Sequence, residues 1–215
     1  MRDLTCDSRH AGPERGFFAL RGARHDGHEF VGEAVRAGAP AVFVTDPEAF
    51  ARLEEAPAPR GGTFLLNGGR EALADLSAEL YGHPSRKLRL LGVTGTNGKT
   101  TVTHLAAQLL RAMGTPCGIA GTLGMTLEGD SAELGLTTPE APDIQRFLAR
   151  CREGGIGAVA FEASSIGIAL ARTRGLSFRA AAFTNLTQDH LDFHGGMERY
   201  REAKFDLFLG HEVAR

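Results

Sequence analysis

The sequence predicts an α/β protein of two domains, in which short strands alternate with helices. Short apolar runs recur along the chain, and segments with the apolar spacing of an amphipathic helix lie between them. A glycine–proline breaker over residues 82–85 ends one helical pattern and divides the chain. Because alternating strands and helices form parallel sheets covered on both faces, we expect a small α/β domain over residues 1–84 and a parallel-sheet domain over residues 85–215.

Length and composition exclude several classes of protein. Of the 215 residues, 42% are hydrophobic, which is enough apolar material to bury a core. Lys and Arg number 24 against 26 Asp and Glu, a balance that argues against nucleic-acid binding by bulk phosphate neutralisation. No apolar run reaches the roughly 18 residues of a membrane helix, and the N-terminus lacks the apolar core of a signal peptide. The three cysteines form no paired motif, which is typical of a cytoplasmic protein. From the charge balance and the lengths of the apolar runs, we expect no nucleic-acid partner and no membrane partner.

In the first domain, apolar runs and breakers predict three strands and three helices. The helix over residues 28–37 carries one apolar face, and Gly38 ends it. Proline and glycine over residues 56–62 predict a surface loop. The other predicted elements are strands over 16–20, 41–44 and 63–66, a short helix after Pro47 and a helix over 71–81.

In the second domain, a strongly apolar strand over 88–94 leads through a glycine-rich turn into a helix over 99–113. We expect this helix to pack on the sheet through an apolar stripe made of Val102, Leu105, Ala106, Leu109, Leu110 and Met113. The other predicted elements are helices over 140–153 and 197–209 and buried strands over 158–161 and 180–183. The last six residues predict no strand, so the pattern stops on a helix, and this indicates a truncated domain.

The turn before the 99–113 helix has the residues of a phosphate-binding loop. This phosphate loop consists of Gly95, Thr96, Asn97, Gly98, Lys99, Thr100 and Thr101. Its glycines let the backbone close on phosphate oxygens, and the N–H groups of a helix N-terminus attract an anion. Lys99 can reach the β- and γ-phosphates of a nucleotide, and the Thr100 hydroxyl can bind Mg²⁺. The first glycine of the usual motif falls on Val93, and the alternative is a glycine turn that caps an ordinary helix.

Polar residues also follow the two other predicted strands of the second domain. Glu162 comes directly after the 158–161 strand, and Asn185 comes just after the 180–183 strand. Because ligands of open α/β sheets bind beyond the carboxyl ends of the strands, the phosphate loop and these two residues point to one edge. Glu162 can hold Mg²⁺ against phosphates, although a helix-capping or ion-paired carboxylate fits the pattern equally well.

Two later segments carry side chains whose roles the pattern leaves open. Residues 189–195 are dense in Asp and His. They form either a solvated loop or, because they follow a strand end, a place where His190 contacts metal or phosphate. Lys204 lies among apolar residues of the last predicted helix. It either extends its amine to water or is a desolvated, reactive amine, and spacing alone does not choose.

Together these motifs resemble the Mur ligases of peptidoglycan synthesis, and most of all the branch that adds the third amino acid of the peptide. The resemblance covers essentially the whole chain. It rests on ordered blocks at residues 7–9, 26–28, 95–101, 137–140, 162–165, 184–195 and 202–204. The first two blocks and residues 137–139 favour this branch over its relatives.

The resemblance implies an ATP-dependent amide ligase that acts as a monomer. Such an enzyme adds the third amino acid, meso-diaminopimelate or L-lysine, to UDP-N-acetylmuramoyl-L-alanyl-D-glutamate. Of the two, we expect meso-diaminopimelate here, although the domain that selects it is not in this sequence. The γ-phosphoryl group of ATP activates the substrate carboxylate as an acyl phosphate, and the incoming amine then displaces phosphate. The N-terminal domain would bind the uridine end of the substrate, and the central domain would bind ATP.

Residue by residue, the resemblance implies the following roles. The catalytic residues would be Lys99, Glu162, His190 and Lys204, with residues 95–101 binding ATP. Mg²⁺ would be bound by Thr100, Glu162, His190 and Lys204, the lysine as the carbamate formed from its amine and CO₂. The UDP-substrate would contact Cys6, Ser8, Ala23, Arg24, His25, Thr137, Thr138, Ser164 and Arg172.

The chain departs from the family pattern in length and at two positions. Family members are much longer, so the resemblance implies that the C-terminal domain, which selects the amino acid, is missing and that this chain alone is inactive. Ile166 and Leu170 stand where many members have His and Gln. Two alternatives stay open: another ligase of the superfamily, such as the one that adds glutamate to folates, and a non-catalytic module that binds UDP-sugars or nucleotides. A GTPase-type switch is disfavoured, since the sequence contains no Asn-Lys-x-Asp segment.

Overall fold

The computed structural model describes residues 1–22, 25–53, 59–127, 130–132 and 135–213. The chain divides into two compact units, an N-terminal unit of Met1–Leu80 and a C-terminal unit of Tyr81–Arg215. Each unit has its own sheet and its own buried clusters of apolar side chains. Within the described ranges, none of the helices combines the length and the apolar content that crossing a membrane requires.

The N-terminal unit is a four-stranded parallel sheet with helices against both faces. Its strands are β1 (Asp3–Thr5), β2 (Arg15–Phe18), β3 (Val42–Val44) and β4 (Thr63–Leu65), which lie side by side in that order. Its helices are α1 (Val31–Arg36), α2 (Pro47–Leu53) and α3 (Arg70–Leu80). Every neighbouring pair is parallel, so all four carboxyl ends lie at one edge.

Alternation along β3 explains how this sheet separates two cores. Val42 and Val44 lie in one cluster with Val31 of α1, whereas Phe43 lies in a second cluster with Leu73 of α3. Because successive side chains of a strand point to opposite faces, α1 and α3 cover opposite faces of the sheet.

The C-terminal unit is built on a six-stranded mixed sheet. The strands of this unit are β5 (Arg89–Thr94), β6 (Cys117–Gly121), β7 (Gly124–Leu127), β8 (Asp130–Ala132), β9 (Ala158–Glu162), β10 (Ser177–Phe178), β11 (Ala180–Phe183) and β12 (Glu212–Val213). The main sheet has the order β11-β5-β9-β6-β7-β8, and β10 pairs separately with β12. The helices are α4 (Lys99–Ala112), α5 (Ala141–Glu153), α6 (Ser165–Ala169), α7 (Leu191–His194) and α8 (Met197–Leu209).

Both faces of this sheet are covered. Val159 and Phe161 of β9 pack in one cluster with Leu148 of α5 and Leu207 of α8. The alternate β9 residues, Ala158 and Ala160, pack in another cluster with Ala107 of α4. Helix α4 therefore lies on the face opposite to α5 and α8. The predicted α/β class with parallel sheets is confirmed.

The predicted apolar stripe of the 99–113 helix is right on one side and wrong on the other. Val102, Ala106 and Leu110 are half-buried, and Leu110 packs against the cluster that contains Ala107. Leu105, Leu109 and Met113 are 53%, 64% and 79% exposed, whereas Thr103 and Ala107 are completely buried. Small side chains on α4 face the alanines of β9, so the helix can lie close to the sheet. Apolar spacing located one side of the buried face, but close packing centred that face on the smaller side chains of Thr103 and Ala107.

Three further expectations differ from the structure. The last six residues were expected to contain no strand, but Glu212–Val213 pairs in parallel with β10, and two residues are too few to show a periodic pattern. The predicted 28–37 helix begins with a 3-10 turn over Gly27–Phe30 that the Asp26 side chain caps. The C-terminal sheet is also not wholly parallel, because β6, β7 and β8 form antiparallel pairs. Part of the predicted 56–62 loop, residues 56–58, lies outside the described residues.

Candidate active site

The carboxyl ends of three parallel strands meet at one edge of the C-terminal sheet. Strand β5 lies between β11 and β9, and the register pairs Thr94 with Phe183 and Val93 with Glu162. The phosphate loop therefore lies between Glu162 and the segment that begins at Thr184. This is the edge where open α/β sheets bind their ligands, as expected from the sequence.

The phosphate loop makes a tight turn into α4. Gly95 has a φ of +139°, and Gly98, at the N-cap of the helix, has a φ of +84°. A Cβ atom on Gly95 would clash with Thr184 Oγ1, so only glycine fits at this position. No described side chain caps the first turn of α4, and its N–H groups are available to an anion.

Two lysine ammonium groups converge on the carbonyl oxygen of Gly95. Lys99 Nζ donates to Gly95 O at 3.0 Å and to Thr96 O at 2.8 Å. Lys204 Nζ donates to Gly95 O at 2.7 Å and lies 4.5 Å from the ring centre of Tyr200. Lys204 is 1% exposed, so its amine does not extend to water. Burial, and then the charge of Lys99, lower the pKa of Lys204 to about 8, and burial also lowers the pKa of Lys99.

The segment after β11 holds the phosphate loop through hydrogen bonds in both directions. Asn97 N–H donates to Asn185 Oδ1 at 3.0 Å, and Asn185 Nδ2 donates to Asn97 O at 3.0 Å. Thr187 N–H donates to Thr96 Oγ1 at 3.0 Å, and the buried Tyr200 hydroxyl lies 2.9 Å from the same oxygen. Sequence reasoning missed Thr187 and Tyr200, because these contacts join positions about a hundred residues apart, such as Thr96 and Tyr200, which are separated by 104 residues.

Glu162 is completely buried at the end of β9, with its carboxylate against the first turn of α4. Thr100 Oγ1 donates to Glu162 Oε2 at 3.0 Å. Thr122, in the turn between β6 and β7, donates from its backbone N–H to Oε1 at 3.2 Å and from its hydroxyl to Oε2 at 3.0 Å. A Cβ atom on Gly121 would clash with this carboxylate. Sequence reasoning missed Gly121 and Thr122, although a glycine on either side of a two-residue segment is a hairpin signal.

Thr138 and Ser164 form a small network at the base of the same edge. The Thr138 hydroxyl lies 3.0 Å from the backbone carbonyl of Glu162 and 2.9 Å from Ser164 Oγ, and it accepts the Ser164 N–H at 2.9 Å. Ser164 also caps α6 by accepting the N–H of Gly167. Thr138 is buried, so its hydroxyl serves the protein's own structure.

Thr137 and Arg172 lie at the border of this network. Thr137 Oγ1 is 3.1 Å from Thr122 Oγ1 and is half-buried. Arg172 pairs with Glu140 at 2.9 Å and donates to the Thr138 carbonyl at 2.9 Å, while its buried Nε atom has no hydrogen-bond partner among the described residues. The Thr137 hydroxyl is half-buried and the Arg172 Nε atom has no described partner, so both side chains are candidates for contact with a ligand.

His190 lies at the exposed start of α7, with its Nε2 atom 3.5 Å from Asp189 Oδ2. Among the described hydrogen bonds and ion pairs, none joins His190 to Glu162. His194, by contrast, is buried with its Nε2 atom 3.0 Å from Ser165 Oγ, and burial lowers the pKa of His194. The structure therefore brings Glu162 to the phosphate loop and leaves His190 at the surface.

The residues around Glu162 fit a magnesium ion that arrives with a nucleotide. In the described part of the chain, no three His, Cys, Asp or Glu side chains are grouped to hold a metal ion. Mg²⁺ needs few protein ligands, however, when phosphate oxygens and water supply the others. Thr100 Oγ1 and Glu162 Oε2 are hard oxygen atoms 3.0 Å apart beside the phosphate loop.

In the N-terminal unit, the predicted substrate residues follow the carboxyl ends of the strands. Cys6, which is half-buried and forms no disulfide, and Ser8 follow β1, and His25 follows β2. Ala23 and Arg24 lie outside the described residues. Because the strands are parallel, the described members of the set lie at one edge of this sheet.

A cavity of about 570 Å³ opens at this edge, beside residues that sequence reasoning did not select. It is lined by Arg21, His28, Thr45, Asp46, Pro47 and Glu48. The His28 ring links Asp26 to Thr45, because its Nδ1 atom lies 2.5 Å from Asp26 Oδ1 and its Nε2 atom accepts the Thr45 N–H at 3.2 Å. Burial alone would raise the pKa of Asp26, but hydrogen bonds from His28 and Arg21 together lower it to about 2. The cavity therefore presents a fixed arrangement of charged and polar groups.

Two family models match the chain: "Mur ligase family, catalytic domain" over residues 2–81 and "Mur ligase middle domain" over residues 93–214. The chain is also similar to curated proteins that carry the name UDP-N-acetylmuramoyl-L-alanyl-D-glutamate--2,6-diaminopimelate ligase. The one from Pseudomonas putida is 43% identical over 209 residues, and the one from Lactiplantibacillus plantarum is 41% identical over 213 residues. The alignments cover 97% and 98% of this chain, which spans 41% of the length of each relative.

Solved structures share the fold. A structure of a UDP-N-acetylmuramoyl-L-alanyl-D-glutamate--2,6-diaminopimelate ligase has a TM-score of 0.79 and 29% identity, covering 97% of this chain and 41% of the other. A MurF ligase from Thermotoga maritima in complex with ADP has a TM-score of 0.67 and 22% identity, covering 98% of this chain and 44% of the other, and so shows the fold alone. Since one family model alone spans more than half of the residues, the chain belongs to the Mur ligase family.

Proposed function

We propose that this chain supplies the N-terminal and central parts of a ligase that joins meso-diaminopimelate to UDP-N-acetylmuramoyl-L-alanyl-D-glutamate, using ATP, in peptidoglycan synthesis in the cytoplasm. The observation that carries the proposal is the convergence of Lys99, Lys204 and the Glu162–Thr100 pair around one phosphate loop. The names of relatives about 43% identical support the choice of substrates. The parent enzyme acts as a monomer in this proposal.

We assign the two substrates to the two domains. Residues 1–84 bind the uridine end of the UDP-substrate through Cys6, Ser8 and the turn of Ala23, Arg24 and His25. Residues 85–215 bind ATP through the phosphate loop. The parallel sheet edges in each unit support this division, since such edges are where α/β folds bind nucleotides.

The phosphate loop binds ATP through backbone N–H groups and Lys99. Lys99 donates to two backbone carbonyls of the loop, and when ATP binds it exchanges them for β- and γ-phosphate oxygens. Thr100 and Glu162 would hold Mg²⁺, and His190 and the Lys204 carbamate would be further ligands once the exposed His190 side chain turns toward the site. The ion supplies charge neutralisation on the phosphates.

Lys204 acts as a carbamate. With a pKa of about 8, a substantial fraction of the amine is neutral near physiological pH. The neutral nitrogen attacks the carbon of CO₂, a C–N bond forms and one N–H proton leaves, so a buried cation becomes an anion. Its position against Gly95 O places that anion beside the phosphate loop.

The reaction proceeds in two displacements. The terminal carboxylate of the UDP-substrate attacks the γ-phosphorus, ADP leaves, and the amine of diaminopimelate then attacks the acyl carbon and releases phosphate. Lys99 and the N-terminus of α4 stabilise the negative charge on the transferred group. Thr137 and Arg172 orient the substrate, while Thr138 and Ser164 hold those two residues in place.

Calorimetric titration of the chain with ATP and Mg²⁺ tests this assignment. Lys99→Ala should weaken ATP binding by at least about tenfold, because one charge-assisted contact to phosphate is lost. Lys87→Ala is the matched control, since Lys87 is an exposed lysine in a 3-10 turn of the same unit. Equal affinities for the wild type and Lys99→Ala would remove the nucleotide assignment.

The parent enzyme tests the catalytic step. Lys204→Ala in the full-length protein should abolish amide formation, and short carboxylates should restore part of it by filling the space of the carbamate. The 215-residue chain alone should form no amide. A fully active Lys204→Ala enzyme would contradict the role given to Lys204.

A further inference from the structure

The turn between β6 and β7 contributes a residue to which the proposed mechanism gives no role. Thr122 donates both its backbone N–H and its hydroxyl to the Glu162 carboxylate, at 3.2 Å and 3.0 Å. The two bonds reach different carboxylate oxygens, so together they fix the rotation of the carboxylate plane. Glu162 is completely buried, and a hydrogen bond to a buried charge is stronger than one in water.

The direction of the Thr122 hydroxyl proton follows from its neighbours. Thr122 Oγ1 lies 3.0 Å from Glu162 Oε2 and 3.1 Å from Thr137 Oγ1, but a hydroxyl has one proton to donate. The charged acceptor is the stronger one, so the proton points to Glu162 and Thr137 donates to Thr122. The carboxylate oxygen Oε2 thus receives two hydroxyl protons, one from Thr122 and one from Thr100.

The backbone of this turn is shaped for the same contact. Gly121 has no side chain where a Cβ atom would clash with the Glu162 carboxylate. The carboxylate therefore packs directly against the turn, with Thr122 on one side and Thr100 of α4 on the other. If the Thr122 hydroxyl is removed, Oε2 keeps only the Thr100 donor and Oε1 keeps the Thr122 N–H, so the carboxylate is held less tightly beside α4.

We propose that Thr122 is a positioning residue that holds the Glu162 carboxylate beside Thr100 for binding of the magnesium–nucleotide complex. The proposal rests on the proposed function, in which Thr100 and Glu162 receive Mg²⁺ with ATP. Thr122 acts on magnesium binding through Glu162, and its hydroxyl also contacts Thr137 Oγ1; none of the described hydrogen bonds joins Thr122 to the phosphate loop.

Calorimetry with and without metal separates this role from a structural one. Thr122→Val removes the hydroxyl, keeps the backbone N–H and preserves the side-chain shape. It should weaken the binding of ATP in excess Mg²⁺ about tenfold, as expected for loss of a hydrogen bond to a charged group. Binding of ATP in EDTA should stay within about twofold of the wild type, because the lysines and the loop are unchanged. Thr122→Ser keeps the hydroxyl, so its affinity for ATP in excess Mg²⁺ should equal that of the wild type.

Thr126→Val is the matched control. Thr126 lies in β7, and its side chain makes no hydrogen bond with the described residues, so both affinities should equal those of the wild type. If thermal melting shows that Thr122→Val is unfolded, Thr122→Ala replaces it with the same expectations.

Two results would overturn the role of Thr122: magnesium-dependent affinity equal to the wild type, or equal weakening with and without Mg²⁺. Lys99→Ala distinguishes this failure from a failure of the proposed function. If the wild type binds ATP and Lys99→Ala does not, a normal Thr122→Val variant removes the inference alone. If the wild type itself binds no ATP, both the proposed function and this inference fail.

Discussion

The contact between Gly121 and Glu162 shows what a single missing side chain provides at the residue scale. Gly121→Ala would place a methyl group on the carboxylate, which must then move. We expect a loss of about 1–3 kcal/mol in the free energy of unfolding, together with weaker magnesium-dependent ATP binding. Urea denaturation and calorimetry would measure the two effects.

Gly157→Ala is the control for that change. A Cβ atom there would meet Thr115 Cγ2 at 3.5 Å, an ordinary van der Waals contact. If Gly121→Ala is no more destabilising than Gly157→Ala, the carboxylate has more freedom than the structure shows.

Lys204 makes stability depend on pH. Its pKa is about 8 in the folded chain, against 10.5 for an ordinary lysine, so between these values the unfolded state binds more protons. The free energy of unfolding contributed by this group therefore rises with pH across that window. We expect urea denaturation at about pH 7, about pH 8.5 and about pH 10 to show that the free energy of unfolding of Lys204→Met falls relative to that of the wild type as pH rises.

Lys87→Met controls for the alkaline titration of other groups, because Lys87 is exposed. Its difference from the wild type should not change with pH. A difference between the wild type and Lys204→Met that is flat over the same range would mean that the Lys204 amine is solvated.

Sequence reasoning found the residues that follow strand ends and missed those that reach the site from elsewhere. Lys99 and Glu162 were predictable because a strand end in an α/β fold is a ligand position. Thr122 and Tyr200 were not, since their polar atoms meet Glu162 and Thr96 only after the chain has folded. Burial of Lys204 was one of two open alternatives, and the position of Gly95 O decided between them.

At the element scale, the exposed face of α4 invites a direct test. Leu105, Leu109 and Met113 are all more than half exposed, and changing all three to Gln should alter the free energy of unfolding by less than about 0.5 kcal/mol each. Ala107→Gln on the buried face should cost at least about 2 kcal/mol, because a larger polar side chain must enter a packed interface. Chemical denaturation of the two variants compares the faces of one helix.

If the triple variant loses more stability than Ala107→Gln, the packing face predicted from the sequence is restored.

The same helix shows why elements are easier to locate than to orient. Its start after Gly98 and its length followed from the glycine turn and the apolar spacing. Its orientation depended on how closely Ala107 can approach Ala158 and Ala160, which no pattern within the helix records. The strands β6 and β7, with a glycine beside each end of their turn, were missed for a related reason: their runs are short and rich in small residues.

At the scale of the whole molecule, the N-terminal unit should fold without the rest. Two apolar clusters lie wholly within Met1–Leu80, one on each face of its sheet. A fragment of residues 1–80 should therefore unfold cooperatively in urea, as monitored by circular dichroism. A fragment of residues 1–69 lacks α3 and with it Leu73, so it should lose the cooperative transition. A gradual, uncooperative transition in the longer fragment would contradict this prediction.

The fold class and the order of most elements were predictable because buried runs and amphipathic segments repeat along the whole chain. The β10–β12 pair was not predictable, because each strand has two residues and its partner is distant in sequence. The additional antiparallel strands, such as β8 beside β7, were not predicted either.

The meeting of two ammonium groups on Gly95 O has a practical consequence for any solution of this protein. Both nitrogens lie within 3.0 Å of a single neutral oxygen, so their charges repel each other whenever Lys204 is protonated and carries no carbamate. An oxyanion relieves this repulsion, and we expect phosphate or sulfate in a buffer to compete with nucleotide. Nucleotide capture in such a solution would then be an exchange of one anion for another.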